Sequence, residues 1–305
     1  MELSVIVPCY NESESIIEFH EGLFGALKNA KITNEIIFVD DGSKDDTIIK
    51  VEELRKKDKN VKLISFSRNF GKESAMLAGL KHASGKYTAI MDADMQHTPE
   101  VLIGMYKRLK EEKNYDCVCA YKANREDEKP LKRTLTSIFY RISNKVSDIK
   151  LLPGASDFRV FTSDVKDAII SLPEKKRFLK GMFSWVGFNT IYIPYMPDKR
   201  LYGKTNWSLL KLIWYSLGGI ISFSVKPLKF IFFLGIFTFL VGFLNYITFG
   251  GLSNKTIILF LAFIMLSIGI IALYISRIYS NTLDRPIYII KKKIGFKTDD
   301  KKKYS

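Results

Sequence analysis

The chain has 305 residues, 47% hydrophobic and 26% charged, with 47 Lys and Arg against 32 Asp and Glu. That length allows one large domain or two small ones, and the composition excludes a disordered chain. The net charge of +15 does not describe a generally basic, nucleic-acid-binding surface, because residues 1–119 carry 17 basic and 20 acidic residues. The excess lies in three blocks: 120–150 at +4, 199–229 at +6 and 277–305 at +6.

In chain order, Leu3–Val7 predicts a short strand that stops at Pro8, too short for a secretory signal core. Ile16, Ile17, Phe19, Leu23 and Leu27 are spaced for a helix over 13–30. Glu35–Val39, Val61–Phe66, Tyr87–Met91 and Asp116–Ala120 read as further strands, with helices near 46–57, 72–83 and 99–113 between them. Strands alternating with helices predict a mostly parallel sheet with helices on both faces. The cysteines Cys9, Cys117 and Cys119 sit in apolar runs without metal-type spacing and read as packing residues.

The second half changes character. Residues 131–149 place Leu135, Ile138, Phe139, Ile142 and Val146 at helical spacing beside Lys132, Arg133, Arg141 and Lys145. That is an amphipathic helix suited equally to a membrane interface or to a domain core. Residues 207–223, with Trp207, Trp214 and Tyr215, read as a second interfacial helix. Two charge-free stretches follow, about 230–248 and 256–276, each long enough to span a bilayer. Gly250, Gly251 and Asn254 lie between them, as in a tight hairpin. Basic residues flank the pair on its outer sides, which predicts both termini on the cytosolic face. The expected organisation is a catalytic domain over 1–225, a membrane hairpin over 226–277 and a basic cytosolic tail over 278–305.

Polar clusters close four successive strands: Pro8–Glu12, Asp40–Ser43, Ser67–Gly71 and Asp92–Gln96. One such cluster is more often a turn and helix cap than a site. Four at the carboxyl ends of one sheet share a crevice, which favours a ligand site. Asp92 and Asp94, with the Gln96 amide, are hard oxygen donors suited to Mg²⁺ or Mn²⁺ bridging a substrate diphosphate. The chain carries neither a Walker A sequence nor G-x-G-x-x-G.

The ordered segments Val-Pro-Cys-Tyr-Asn-Glu, Val-Asp-Asp-Gly-Ser-x-Asp, Arg-Asn-Phe-Gly-Lys and Asp-Ala-Asp-x-Gln resemble family 2 glycosyltransferases of the GT-A (Rossmann-like) fold. More closely they resemble its polyprenyl-phosphate branch, the bactoprenol glucosyltransferases and dolichol-phosphate mannose synthases. The resemblance covers almost the whole chain, hairpin included. It implies an α/β fold with interface helices and a two-helix membrane anchor. It also implies transfer of one sugar from a nucleotide diphosphate sugar to undecaprenyl phosphate, UDP-glucose or UDP-N-acetylglucosamine before GDP-mannose. Pro8, Tyr10, Asn11, Glu12, Asp40, Asp41, Lys72, Asp92, Ala93 and Asp94 would bind the nucleotide sugar. Asp92, Asp94 and Gln96 would hold the metal. Asp94, Asp157, Arg159 and Arg200 would serve catalysis, with Asp157 as base or positioning group. Lys122, Arg125, Arg133, Arg200 and Lys204 would meet the acceptor phosphate. A homo-oligomer and a flippase partner are also implied, and no nucleic acid.

Two departures stand out. Asn206 replaces the Lys usual in the segment around Arg200, and Lys122 stands where relatives often have Arg, losing a bidentate contact. The competing readings are a processive polysaccharide synthase and a non-catalytic, sugar-nucleotide-binding scaffold. The first normally carries Gln-x-x-Arg-Trp, which is absent from Arg177–Trp185. The second does not require the carboxylate pair.

Overall fold

The structure is a computed structural model and describes residues 1–122, 130–196, 217–249 and 254–296. Eight strands form one sheet in the order β7-β5-β6-β4-β1-β2-β3-β8. They are β1 (Leu3–Cys9), β2 (Asn34–Asp40), β3 (Val61–Phe66), β4 (Tyr87–Ile90), β5 (Cys117–Lys122), β6 (Ala155–Thr162), β7 (Thr190–Tyr195) and β8 (Ile290–Ile294). The central run β4-β1-β2-β3 is parallel. Every residue of β1 and β2 is buried, as expected for parallel strands covered on both faces.

Helices α1 (Ile16–Asn29), α2 (Thr47–Lys57) and α4 (Pro99–Glu111) cover one face. Helices α3 (Lys72–His82), α6 (Ser163–Ser171) and α7 (Leu179–Trp185) cover the other. Their apolar stripes, such as Ile16, Phe19, Leu23 and Leu27 in α1, bury at helical spacing against the sheet.

The helices expected within residues 1–149 and the first five strands are present with ends shifted by a few residues. The sheet is more mixed than the sequence pattern implies, since β6 runs antiparallel to both β4 and β5. The tail also differs. Instead of only trailing away after the apolar helices, the chain pairs Ile290–Ile294 antiparallel with β3. The sheet is therefore closed by residues that lie beyond the hairpin in sequence.

Helix α5 (Pro130–Val146) packs Phe139 and Tyr140 on Ile149, Leu151 and Phe178. It leaves Ile138 and Ile142 exposed, so it both joins the domain and offers apolar surface outward. The second interface segment lies largely outside the described residues; its end, 217–222, is helical.

Helices α8 (Lys226–Phe249) and α9 (Asn254–Thr282) are long and apolar enough to cross a membrane. At 1.5 Å per residue they measure about 36 and about 44 Å. They pack on each other, and Gly242 admits the ring of Phe260. Their apolar stretches are almost wholly unburied, unlike the core helices of a soluble domain. The lower end of the pair is fastened to the sheet domain. Arg277 Nη2 donates to Lys176 O (2.6 Å), Lys175 N to Asn281 Oδ1 (3.3 Å), and Tyr274 Oη to Ser224 O (2.7 Å).

Candidate active site

The strand order reverses between β4 and β1, and in open α/β sheets ligands bind at that switch point beyond the strand ends. The loops there are laced together. Asn11, at φ 54°, donates its N–H to Ser43 Oγ and accepts from Lys44 N through Oδ1, each at 2.9 Å. Glu12 N donates to Thr47 Oγ1 at 2.9 Å. Pro8 is tolerated in a central strand for a geometric reason. Ile6 O accepts from Met91 N, on the β4 side, and Cys9 O accepts from Asp41 N, on the β2 side. By alternation Pro8 nitrogen faces the β4 side, after β4 has ended at Ile90. Tyr10 is half-buried just beyond.

Asp40 and Asp41 brace the walls. Asp40 is fully buried and accepts from Ser43 N (3.0 Å) and Ser65 Oγ (2.8 Å). Asp41 accepts from Phe70 N (2.6 Å) and Gly71 N (2.9 Å), and its burial pushes its carboxyl above the usual range. Gly42, at φ +73°, runs against the Arg68 backbone; an added Cβ would meet the Arg68 carbonyl carbon at 2.5 Å. Gly42→Ala is expected to cost about 1–3 kcal/mol, read as a lower thermal midpoint with loss of donor binding.

Asp92, Ala93 and Asp94 follow β4 directly. Asp94 is buried and accepts from Gln96 N at 3.2 Å through Oδ1. The intervening Met95 holds a positive φ of 62°, uncommon for a side chain of that size. Ala93 is buried in the core beneath.

The pairing of β6 explains how Asp157 enters. Ile90 stands opposite Arg159 in antiparallel register. Two residues further along, Asp157 comes abreast of Asp92 on the same face. Lys72, from the first turn of α3, bridges them: its Nζ lies 2.8 Å from Asp92 Oδ1 and 3.0 Å from Asp157 Oδ2. Partial burial alone would lower the Lys72 pKa, but the two carboxylates raise it above the ordinary value. Burial alone would raise Asp157; the charges of Lys72, Lys180 and Arg159 instead hold its carboxyl well below the usual carboxylate range. A carboxylate so held is a poor proton acceptor.

On the opposite face, His97 supports the same loop. It is buried, stacks on Phe158 at 4.4 Å, and meets Tyr195 edge-on at 5.6 Å. Its Nδ1 accepts from Asp92 N at 3.3 Å, which calls for the tautomer protonated at Nε2, and burial pushes the imidazole below its ordinary pKa, favouring the neutral ring. The sequence reading does not single out His97, although it directly follows the Asp-Ala-Asp-x-Gln segment. His97→Phe keeps the stack but leaves the part-buried Asp92 N–H unpaired, worth about 1–3 kcal/mol. The expected result is at least about a tenfold rise in the metal concentration giving half-maximal rate. His97→Asn, which retains an acceptor, should recover most of it.

The remaining candidates are dispersed. Arg159 is buried beside Asp157; it donates to Ser156 O (2.8 Å) and lies 4.0 Å over the Phe183 ring. Lys122 is half-buried at the end of β5, and Arg133 is exposed on α5. Arg125, Arg200 and Lys204 lie outside the described residues.

Among the described residues no three His, Cys, Asp or Glu side chains converge as a metal site. The donor set nonetheless suits a divalent cation held partly by substrate. Mg²⁺ commonly takes one or two carboxylates and completes its shell with phosphate and water. Asp92 and Asp94, ending one strand and steadied by Lys72 and His97, fit that description.

Residues 4–167 match the Glycosyl transferase family 2 domain. The chain belongs to that family. The transferase is 38% identical over 302 residues to the putative glycosyltransferase CsbB of Bacillus subtilis (strain 168), covering 95% of this chain and 91% of that one. It is also 38% identical to the prophage bactoprenol glucosyl transferase homolog of Escherichia coli (strain K12), over 96% of this chain and 99% of that one. Among solved structures, a mycobacterial protein aligns with TM-score 0.50 at 17% identity, covering 72% of each chain, a likeness of fold alone. The enzyme is therefore a glycosyltransferase built on a GT-A-like mixed sheet.

Proposed function

We propose that this glycosyltransferase moves one sugar from a nucleotide diphosphate sugar, UDP-glucose or UDP-N-acetylglucosamine, to a polyprenyl phosphate at the cytosolic membrane face. The observation that carries the reading is the Lys72 bridge between Asp92 and Asp157, in a domain fastened to two unburied apolar helices. It joins the loop suited to a diphosphate to β6. The full-length likeness to a relative named for bactoprenol glucosyl transfer supports the same acceptor.

Helices α8 and α9 form the membrane anchor. Residue 226 leaves the sheet domain and residue 290 rejoins it, so the anchor enters and exits on one side. The basic flanks make that side cytosolic. A homo-oligomer and a flippase acting on the product complete the reading.

In the reaction, an acceptor phosphate oxygen forms a bond to the anomeric carbon. The bond from that carbon to the diphosphate oxygen breaks, and its electron pair leaves with the nucleoside diphosphate. A single displacement inverts the anomeric centre. A phosphate monoester has its second pKa near ~6 and is largely dianionic at neutral pH, so no proton must be removed first. Asp157 accordingly positions Lys72 and the acceptor rather than acting as base. Asp92 and Asp94 would hold Mg²⁺ or Mn²⁺, which supplies charge neutralisation at the leaving diphosphate. The loops after β1 and β2 cradle the nucleoside, with Asp40 and Asp41 setting their shape.

The test is purified protein in lipid nanodiscs with undecaprenyl phosphate and a panel of radiolabelled nucleotide sugars. Metal-dependent labelling of the lipid from a UDP-sugar supports the reading. Donor binding without turnover would favour the scaffold instead.

A further inference from the structure

We infer that Lys180 is the cation that receives the acceptor's phosphate, standing where a site for an anionic head meets a site for a hydrocarbon chain. The inference rests on the function proposed above and assigns the acceptor to residues outside the motif set.

Two cavities share Lys180 as part of their walls. One, of about 530 Å³, is mainly apolar and runs between α5, α7 and 217–222, with Phe139, Leu151, Phe178 and Ile220 along it. The other, of about 600 Å³, is lined mainly by charged residues, among them Lys72, Asp157, Lys175 and Lys176. Both volumes fall in the range of ligand pockets. Lys180 Nζ donates to Ala155 O at 3.1 Å, two residues before Asp157 in β6. An ammonium has three hydrogens to donate, and this is its hydrogen bond among the described residues. Its charge also contributes to holding Asp157 ionised. Arg159 adds a second, buried cation to the wall of the apolar cavity.

An apolar cavity with a lysine in its wall, beside an Asp157–Lys72–Asp92 chain, matches an amphiphile with one phosphate at the end of a long isoprenoid. It does not match a nucleotide, which would leave the apolar cavity unused. The location is also right for a lipid. The loop carrying Lys175 and Lys176 is bonded to the end of α9 through Arg277 and Asn281. Exposed Ile138 and Ile142 border the apolar cavity. A phosphate on Lys180 would enter the site from the membrane side, while a donor enters over the strand ends.

The test is equilibrium binding of farnesyl phosphate, inorganic phosphate and farnesol to the full-length protein in detergent, comparing the parent with Lys180→Gln and Lys180→Arg. Expected is at least about a tenfold weakening of farnesyl phosphate by Lys180→Gln, with recovery in Lys180→Arg. Farnesol binding should be unchanged, and inorganic phosphate should bind far more weakly than farnesyl phosphate. UDP-sugar affinity without acceptor should stay within about twofold. Equal farnesyl phosphate affinity in parent and Lys180→Gln overturns the inference. So does a loss of UDP-sugar affinity, which would give Lys180 to the donor, or a lowered thermal midpoint alone, which would make it a brace for β6. Because binding is read without turnover, a parent that binds farnesyl phosphate but transfers no sugar would sink the proposed reaction and leave Lys180 standing.

Discussion

Asp94→Asn is expected to lower sugar transfer by at least about 10³-fold while the protein stays folded. The two effects separate for a structural reason. Asp94 Oδ1 accepts from Gln96 N, and an asparagine carbonyl can accept the same bond. What it removes is a negative charge at the strand end, where a cation and a diphosphate would meet. Losing a hard anionic ligand weakens the metal, and with it the stabilisation of charge on the leaving group. Raising Mn²⁺ should recover part of the rate but not all of it. Circular dichroism and a melt within about 3 °C of the parent would establish that folding is intact. Near-parental transfer by the variant would remove the Asp92–Asp94 loop from the reaction.

The second large effect concerns the Lys72 bridge. Lys72→Met should cut kcat by about 10²–10³-fold, and Asp157→Asn by a similar factor. The double variant should lose much less than the product of the two, because both break one unit. Stability should change far less. The Lys72 side chain is 36% exposed, so solvent screens the pair and its net worth is about 1 kcal/mol or less. The pH profile separates the possible roles of Asp157. If the acceptor is its own nucleophile, the acid limb follows the phosphate, near pH ~6. Asp157→Asn should then lower the plateau and leave the limb in place. A base role instead predicts that the limb disappears in the variant.

Much of this site is legible in the sequence, and the reasons are local. Each of the first four strands ends at a polar cluster, and the strand-helix alternation forces those ends to one side. The Asp92–Gln96 segment therefore announces itself. The bridge does not. It depends on β6 running antiparallel to β4, so that Asp157 draws level with Asp92 from 65 residues away in sequence. His97 is hidden because a lone histidine after a loop signals nothing until Phe158 and Tyr195 close around it. Strand β8 is hidden by its lysines. Ile290-Lys-Lys-Lys-Ile294 reads as a basic tail, yet charges are what an edge strand carries to avoid further pairing. Lys292 Nζ donates to Glu52 across that edge. Strand β7 is obscured by Pro194, which an edge position tolerates.

The return of β8 also ties the helical pair to the sheet from its far side. The sheet domain is held at both ends of the helical pair, by 217–226 before it and by Ile290–Ile294 after it. On the proposed function, such a double attachment would hold the crevice close to the bilayer. The lipid phosphate and sugar nucleotide of the proposed reaction would then meet there without either leaving its own phase.

The most direct measurement is mass spectrometry of the lipid recovered after incubating the full-length enzyme with undecaprenyl phosphate, a UDP-sugar and Mn²⁺. A single new species is expected, the polyprenyl monophosphate carrying one sugar residue. A lipid carrying a growing chain of sugars, a diphosphate-linked product, or an unmodified lipid with every nucleotide sugar tried would contradict it.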